Sequence, residues 1–168
     1  MSQKLLIFPT VQFLQIPATV PGGIYSDLQN ARILTSDIYY RLNEENYKWV
    51  AQTNWTYEAI FDLEIPIPED QSVFLDCHGL DTVATLKLNE VEIGRSDNMF
   101  VRYKFPIENG ILQQKLSNRL VVEFQSPIEF ARQKFEQQSQ DYIVPPTCSY
   151  PQGDCHANHI RKMQSSFG

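Results

Sequence analysis

Between Ser72 and Phe105 apolar and polar residues alternate with a period of two. Val73, Leu75 and Cys77 fall on one side of an extended segment, and Ala84, Leu86 and Leu88 on one side of the next. In a third segment Val101, Tyr103 and Phe105 stand opposite Arg102 and Lys104. Asn89-Glu90 separates Leu88 from Val91 and Ile93, a two-residue connection of the kind that joins hairpin strands, and Gly94 ends the run. Asn accepts the left-handed backbone of such a turn; Glu accepts it less readily. The alternation returns in Tyr57, Ala59, Phe61 and Leu63, opposed by Glu58 and Asp62 and stopped by Pro66 and Pro68, and again in Leu120, Val122 and Phe124. Short antiparallel strands with one apolar face are stable only when that face covers a second sheet. The pattern predicts an all-β sandwich.

Helical spacing is confined to one or two short stretches. After Phe124, Ser126 at an N-cap, Pro127 at the first helical position and Glu129 three residues after Ser126 form a capping box. Ile128, Ala131 and Phe135 then mark the buried stripe of a helix on the edge of the sandwich. Pro17, Pro21 and Gly22-Gly23 read as a loop entering a shorter helix that carries Ile24, Leu28 and Ala31. Ser36 to Trp49 mixes aromatics and charges without a period and reads as an irregular rim. Residues 1–15 read as an irregular or atypical amino-terminal segment with at most one poor strand, residues 16–168 as the domain proper. The tail from Tyr142, with Pro145-Pro146 and Gly153, reads as a long loop or extended arm.

At 168 residues and 42% hydrophobic content the chain can bury one core, which implies one domain. A net charge of -6 argues against nucleic acid as a partner, since a phosphate backbone calls for a clustered basic surface. No apolar run approaches the roughly 18 residues that span a bilayer, so no membrane partner is expected. Leu5 to Phe8, closed by Pro9, is too short for a secretion signal.

Ligand chemistry clusters only in the tail. Cys148, Cys155, His156 and His159 could supply four ligands to zinc, although neither spacing is a usual chelating pair; alternatively Cys148 and Cys155 could close a small loop as a disulfide. Cys77, alternating with Val73 and Leu75, reads as a buried free thiol. Asn54-Trp55-Thr56 is a glycosylation sequon, consistent with a secreted setting. A Gly-x-Ser-x-Gly elbow and a phosphate-binding glycine loop are both missing, and Glu44-Glu45 and Glu69-Asp70 read as solvated surface. No residue set completes an active site, and no cofactor is implied.

Several stretches taken together carry a resemblance. They are Ala18 to Leu28 (ATVPGGIYSDL), Tyr39 to Glu44 (YYRLNE), Asn54 to Tyr57 (NWTY), Gly79 to Ala84 (GLDTVA), Asn98 to Phe100 (NMF), Val144 to Pro146 with Cys148, Gly153 to His156 (GDCH) and Ile160 to Phe167 (IRKMQSSF). In this order they resemble the amino-terminal domain of the animal lysosomal β-mannosidases, family-two glycoside hydrolases. The resemblance implies a galactose-binding-like jelly-roll sandwich, a Cys148–Cys155 disulfide and a lysosomal setting. It also implies partners in cis, immunoglobulin-like domains and a TIM barrel that carries both catalytic Glu residues, and a mannose-containing glycan as substrate. This chain would then have no catalytic residue of its own, with Arg161, Gln164, Ser165 and Ser166 on the pocket rim. Two departures are expected to matter. The chain stops before the family's Trp-Asp-Trp-Gly segment, so the domain is truncated at its carboxy-terminal end, and residues 1–15 lack the Gly-x-Trp element of the family's first strand, which would leave a sheet edge unpaired. The alternatives are a stand-alone carbohydrate-binding module using Tyr39, Tyr40 and Tyr47, and a zinc-stapled interaction domain.

Overall fold

The computed structural model describes residues 15–68 and 70–142, together with the backbone of one strand, Lys4–Pro9. In chain order the strands are β1 (Lys4–Pro9), β2 (Ile16–Pro17), β3 (Trp55–Phe61), β4 (Val73–Cys77), β5 (Ala84–Leu88), β6 (Val91–Ser96), β7 (Tyr103–Ile107) and β8 (Asn118–Phe124). Helices α1 (Ile24–Asn30), α2 (Asn43–Asn46) and α3 (Lys48–Gln52) lie between β2 and β3, and α4 (Pro127–Gln138) follows β8. One sheet has the order β2-β1-β3-β8-β5-β6; β4 and β7 form the other, and each pairing is antiparallel. The expected sandwich is present, with more helical segments than the sequence suggested. α2 and α3 are four and five residues long, too short for a 3.6-residue period to register, and neither has a side-chain cap.

The stretch from Ser72 to Phe105 is divided between the two sheets. β5 and β6 form the predicted hairpin, whereas β4 and β7 cross over and pair with each other, Val73 opposite Ile107 and Cys77 opposite Tyr103. Both turn residues adopt left-handed backbone, Asn89 at φ 48° and Glu90 at φ 68°. Asn89 holds this turn through its amide: Nδ2 donates to the Ile111 carbonyl at 2.7 Å and to Asn118 Oδ1 at 2.8 Å, while Oδ1 accepts from the Arg119 N–H at 2.8 Å. The Glu90 carboxylate is tied down by Arg119, which also reaches Glu58 on the outer face of the sheet.

Two inward assignments change. The register slips between Leu86 and Lys87, so that Leu86 faces Gly94 and Lys87 faces Glu92; Val91, expected inside, sits at the hairpin tip 46% exposed. Gly94 does not end β6, which runs on to Ser96. A Cβ there would stand 2.1 Å from Phe105 Cδ1, so the absent side chain makes room for the ring that packs one sheet against the other. β7 begins at Tyr103 rather than Val101, which lies 43% exposed in the preceding turn; the inward set is Tyr103, Phe105 and Ile107.

A second apolar cluster forms where α1 to α3 cover one end of β3. Ile16, Leu28, Leu34, Val50 and Trp55 are all buried there, with the Trp55 indole N–H donating to the Val50 carbonyl at 2.8 Å. The amino-terminal stretch supplies more order than expected. β1 pairs along its whole length with β3, from Lys4 opposite Ile60 to Pro9 opposite Trp55, so the edge that the sequence left unpaired is filled and passes to the short β2. Among the described residues no helix is long and apolar enough to cross a membrane.

Candidate functional site

The strand directions collect most of the irregular chain at one end of the sandwich. β3 begins there, β8 ends there, and so do β4 and β6, because Trp55 pairs with Phe124, Ala84 with Phe124 and Ser96, and Cys77 with Tyr103. The α1–α3 excursion, the connections 78–83 and 97–102 and the start of α4 therefore share this rim. It is held by local hydrogen bonds. The Tyr103 hydroxyl accepts the Asp97 and Asn98 N–H groups at 3.1 and 3.0 Å, and Ser96 Oγ donates to the Thr82 carbonyl at 2.8 Å. Arg102 Nε donates to Asp76 Oδ1 at 2.7 Å. Large apolar side chains stand out into solvent at the same end: Tyr39 at 88%, Leu42 at 69% and Phe100 at 74% exposed.

Three of the described carboxylates are held ionised by neighbouring guanidinium groups. Hydrogen bonding by Arg102 holds the Asp76 carboxyl below its ordinary range, as Arg95 does for Glu92 and Arg132, with Gln133, for Glu129. A general acid needs the opposite shift. The Asp27 carboxyl is pushed up by burial, and the Thr19 N–H donated to its Oδ1 at 3.2 Å opposes the effect. Asp27 is 2% exposed, and its Oδ2 has no hydrogen-bond partner among the described residues. Its charge and the burial of Tyr57 together hold that phenol above its ordinary range, burial being the larger cause. Asp27 was not singled out in the sequence, yet it was legible there: residues 24, 27, 28 and 31 share one face of α1, so the period that buries Ile24, Leu28 and Ala31 places Asp27 between them. A shallow depression of about 350 Å³ lies at the opposite end, between Asp70–Phe74 and Pro106–Asn109.

Asn54 is exposed immediately before β3, and its Oδ1 accepts the Ser126 N–H at 2.7 Å. That bond modifies the predicted capping box. Ser126 Oγ accepts from the Glu129 N–H at 3.2 Å as expected, but the Glu129 carboxylate turns to Arg132 and Gln133, and Asn54 takes its place at the Ser126 N–H. Tyr39, Tyr40 and Tyr47 do not form a common platform: Tyr47 packs on the buried cluster with its hydroxyl accepting the Ser36 N–H at 3.1 Å, and the Arg41 guanidinium covers the Tyr40 ring at 5.1 Å. Cys77 is half-buried rather than buried, a free thiol that burial, with the Asp76 charge, pushes up. Among the described residues no group of three or more His, Cys, Asp and Glu is placed to hold a metal ion. Cys148, Cys155, His156, His159, Arg161, Gln164, Ser165 and Ser166 lie outside the described residues.

Comparison with known proteins adds three findings. The profile of the family described as glycosyl hydrolase 2 galactose-binding domain-like matches residues 7–168. The chain is similar to the β-mannosidase of Bos taurus, 48% identical over 157 residues, and to that of Rattus norvegicus, 43% identical over 156 residues; each match covers 92% of this chain and 17% of the relative. The chain thus spans about a sixth of the length of the relatives it matches. In fold it is similar to the crystal structure of β-D-mannosidase from Dictyoglomus thermophilum, with a TM-score of 0.73 over 89% of this chain and 18% of that one at 23% identity.

Proposed function

The chain belongs to the glycosyl hydrolase 2 galactose-binding domain-like family, and from that premise we propose that it serves as the non-catalytic amino-terminal domain of a β-mannosidase that removes terminal β-linked mannose from glycoprotein glycans. The similarity to the Bos taurus β-mannosidase over nearly the whole chain carries this reading. Among the described carboxylates, Asp76 and Glu129 are held in surface ion pairs by Arg102 and Arg132, and Asp27, whose pKa is raised, is buried on α1. The acid/base Glu and the nucleophile Glu of a retaining hydrolysis belong, on this reading, to a TIM barrel later in the longer polypeptide, with immunoglobulin-like domains between. The sandwich domain, which takes in β1 and so begins before Ile16, braces the barrel. Arg161, Gln164, Ser165 and Ser166 sit on the rim of the mannose pocket, and Cys148 pairs with Cys155.

The setting is lysosomal, where a disulfide persists and Asn54 carries a glycan. The exposure of Asn54 supports that modification, which is made on Nδ2 and leaves Oδ1 for the Ser126 N–H. The test is hydrolysis of a chromogenic β-mannoside by this chain and by the longer polypeptide read from its gene. Turnover by the longer protein alone is expected. Turnover by residues 1–168 above trace level, or none by the longer protein, overturns the proposal.

A further inference from the structure

Residues 16–34 are bonded mostly to themselves. β2 is two residues long and pairs with β1 at Ile16 and Pro17, and neither Pro17 nor Pro21 has an N–H to donate. α1 has no side-chain cap. The N–H groups of Asp27, Ala31, Arg32, Ile33 and Leu34 all donate to carbonyls of residues 23–29, inside the segment. What seats it on β3 is chiefly burial. Ile16, Leu28 and Leu34 are closed off there with Val50 and Trp55, in a cluster that does not include Ala84, Leu86 and Leu88 of the sandwich core.

Asp27 stands on that seated face, and no cation meets it. None of the ion pairs among the described residues includes it. The titratable group nearest it on β3 is the Tyr57 phenol, which its charge and burial keep neutral. β2 and Ala18 bring no charge, and α1 adds only Tyr25. Lys48 on α3 is paired with Glu45 at 2.7 Å, and Arg32, just past α1, is exposed. A carboxylate so placed either takes up a proton or returns to water. Because the segment keeps its own hydrogen bonds, it can return Asp27 to water while both sheets stay folded.

We propose that Asp27 makes the seat of residues 16–34 on β3 a proton-operated latch, closed while the carboxyl is protonated and opening as a unit, with the sheets intact, once it is ionised. The sign follows from burial, which raises the carboxyl above its ordinary range. The closed state therefore keeps its proton where the open state has lost it; the cost of ionisation is absent below 3.8 and grows as pH rises through the closed-state value. The latch concerns residues of this chain alone. Its use rests on the lysosomal reading, in which the segment is closed in the acid lumen and looser at the neutral pH met before it.

Native-state hydrogen exchange of the whole protein over a series of pH values, corrected for the chemical exchange rate, tests this through the Ala31, Ile33 and Leu34 amides. Their opening constant should rise at least about threefold in all as pH climbs above 3.8, by no more than about tenfold per pH unit for one proton, while the β8 amides keep a separate, higher protection. A flat profile overturns the proposal. Opening of both sets of amides together also overturns it, because the event is then global. Asp27→Asn keeps an acceptor for the Thr19 N–H and should abolish the rise; a rise that persists assigns the proton to another group and rejects the latch. If that variant does not fold, carbon NMR of the wild-type Asp27 carboxyl decides: it should titrate over the pH range in which the amides loosen, and a different range rejects the link. Mannoside turnover is read separately, so each proposal can fail with the other standing.

Discussion

Adding one methyl group at Gly94 should separate the two sheets. An alanine Cβ there would lie 2.1 Å from Phe105 Cδ1 and 2.3 Å from Cε1, whereas carbon atoms rest at about 3.5–4.0 Å. The ring must retreat by more than about 1 Å. It has little freedom to turn, being buried and stacked on Tyr103 with centroids 5.6 Å apart and planes 6° from parallel. β7 itself must therefore move, carrying β4 with it. Overpacking of this kind costs about 1–3 kcal/mol, and the severity of the contact places Gly94→Ala in the upper half of that range. For a chain of this size that lowers the melting temperature by about 4–10 °C. Gly79→Ala is the matched control, because its Cβ would meet nothing within 4 Å. Urea denaturation of the two variants gives the difference directly. Combining Gly94→Ala with Phe105→Leu should recover part of the loss, since the methyl then meets a smaller side chain, and the cycle should show a coupling of at least about 1 kcal/mol. A Gly94→Ala variant within about 0.5 kcal/mol of wild type would refute the packing argument.

Two further outcomes follow from buried polar groups. The Asp27 carboxyl has a folded pKa above 3.8, so ionisation weighs against the fold; the cost is absent below 3.8, where both states are protonated, and grows as pH rises through the folded value. Asp27→Asn keeps an acceptor for the Thr19 N–H and should flatten the fall in stability as pH rises above 3.8; an unchanged profile rejects the assignment. Ser126→Ala removes both the cap on Glu129 and the hydrogen bond donated to the Ala51 carbonyl at 2.7 Å, and should cost about 1–2 kcal/mol by urea denaturation, with a loss below about 0.3 kcal/mol contradicting it.

Period-two alternation located β3, β4, β5 and β8 because each presents one face to a core, and the Asn89-Glu90 turn and the Ser126 cap were readable from residue type alone. Assignment of strands to sheets was not readable, since alternation says which side of a strand is buried and nothing about its neighbour. That is why four consecutive strands read as one unit are shared between two layers. Val91 and Val101 misled for a related reason: a single register slip and a short turn each displace an apolar residue from the inward row without altering the pattern around it. The α1 face illustrates the converse, a carboxylate in an apolar row whose burial the spacing implied. Proposed pocket residues, by contrast, came from resemblance alone, because residues 160–167 carry no local pattern that points to a sugar.

The position of β8 bears on how the chain is made. It is the central partner of β3 and β5, yet it is the last strand in the described sequence, about 60 residues after β3. A ribosome delivers β3 and β5 first, and both must wait with open flanks until Asn118–Phe124 emerges to join them. A pause in translation between Phe61 and Asn118 would lengthen that wait, and a chaperone that shields extended apolar segments would act on this interval rather than on the finished fold.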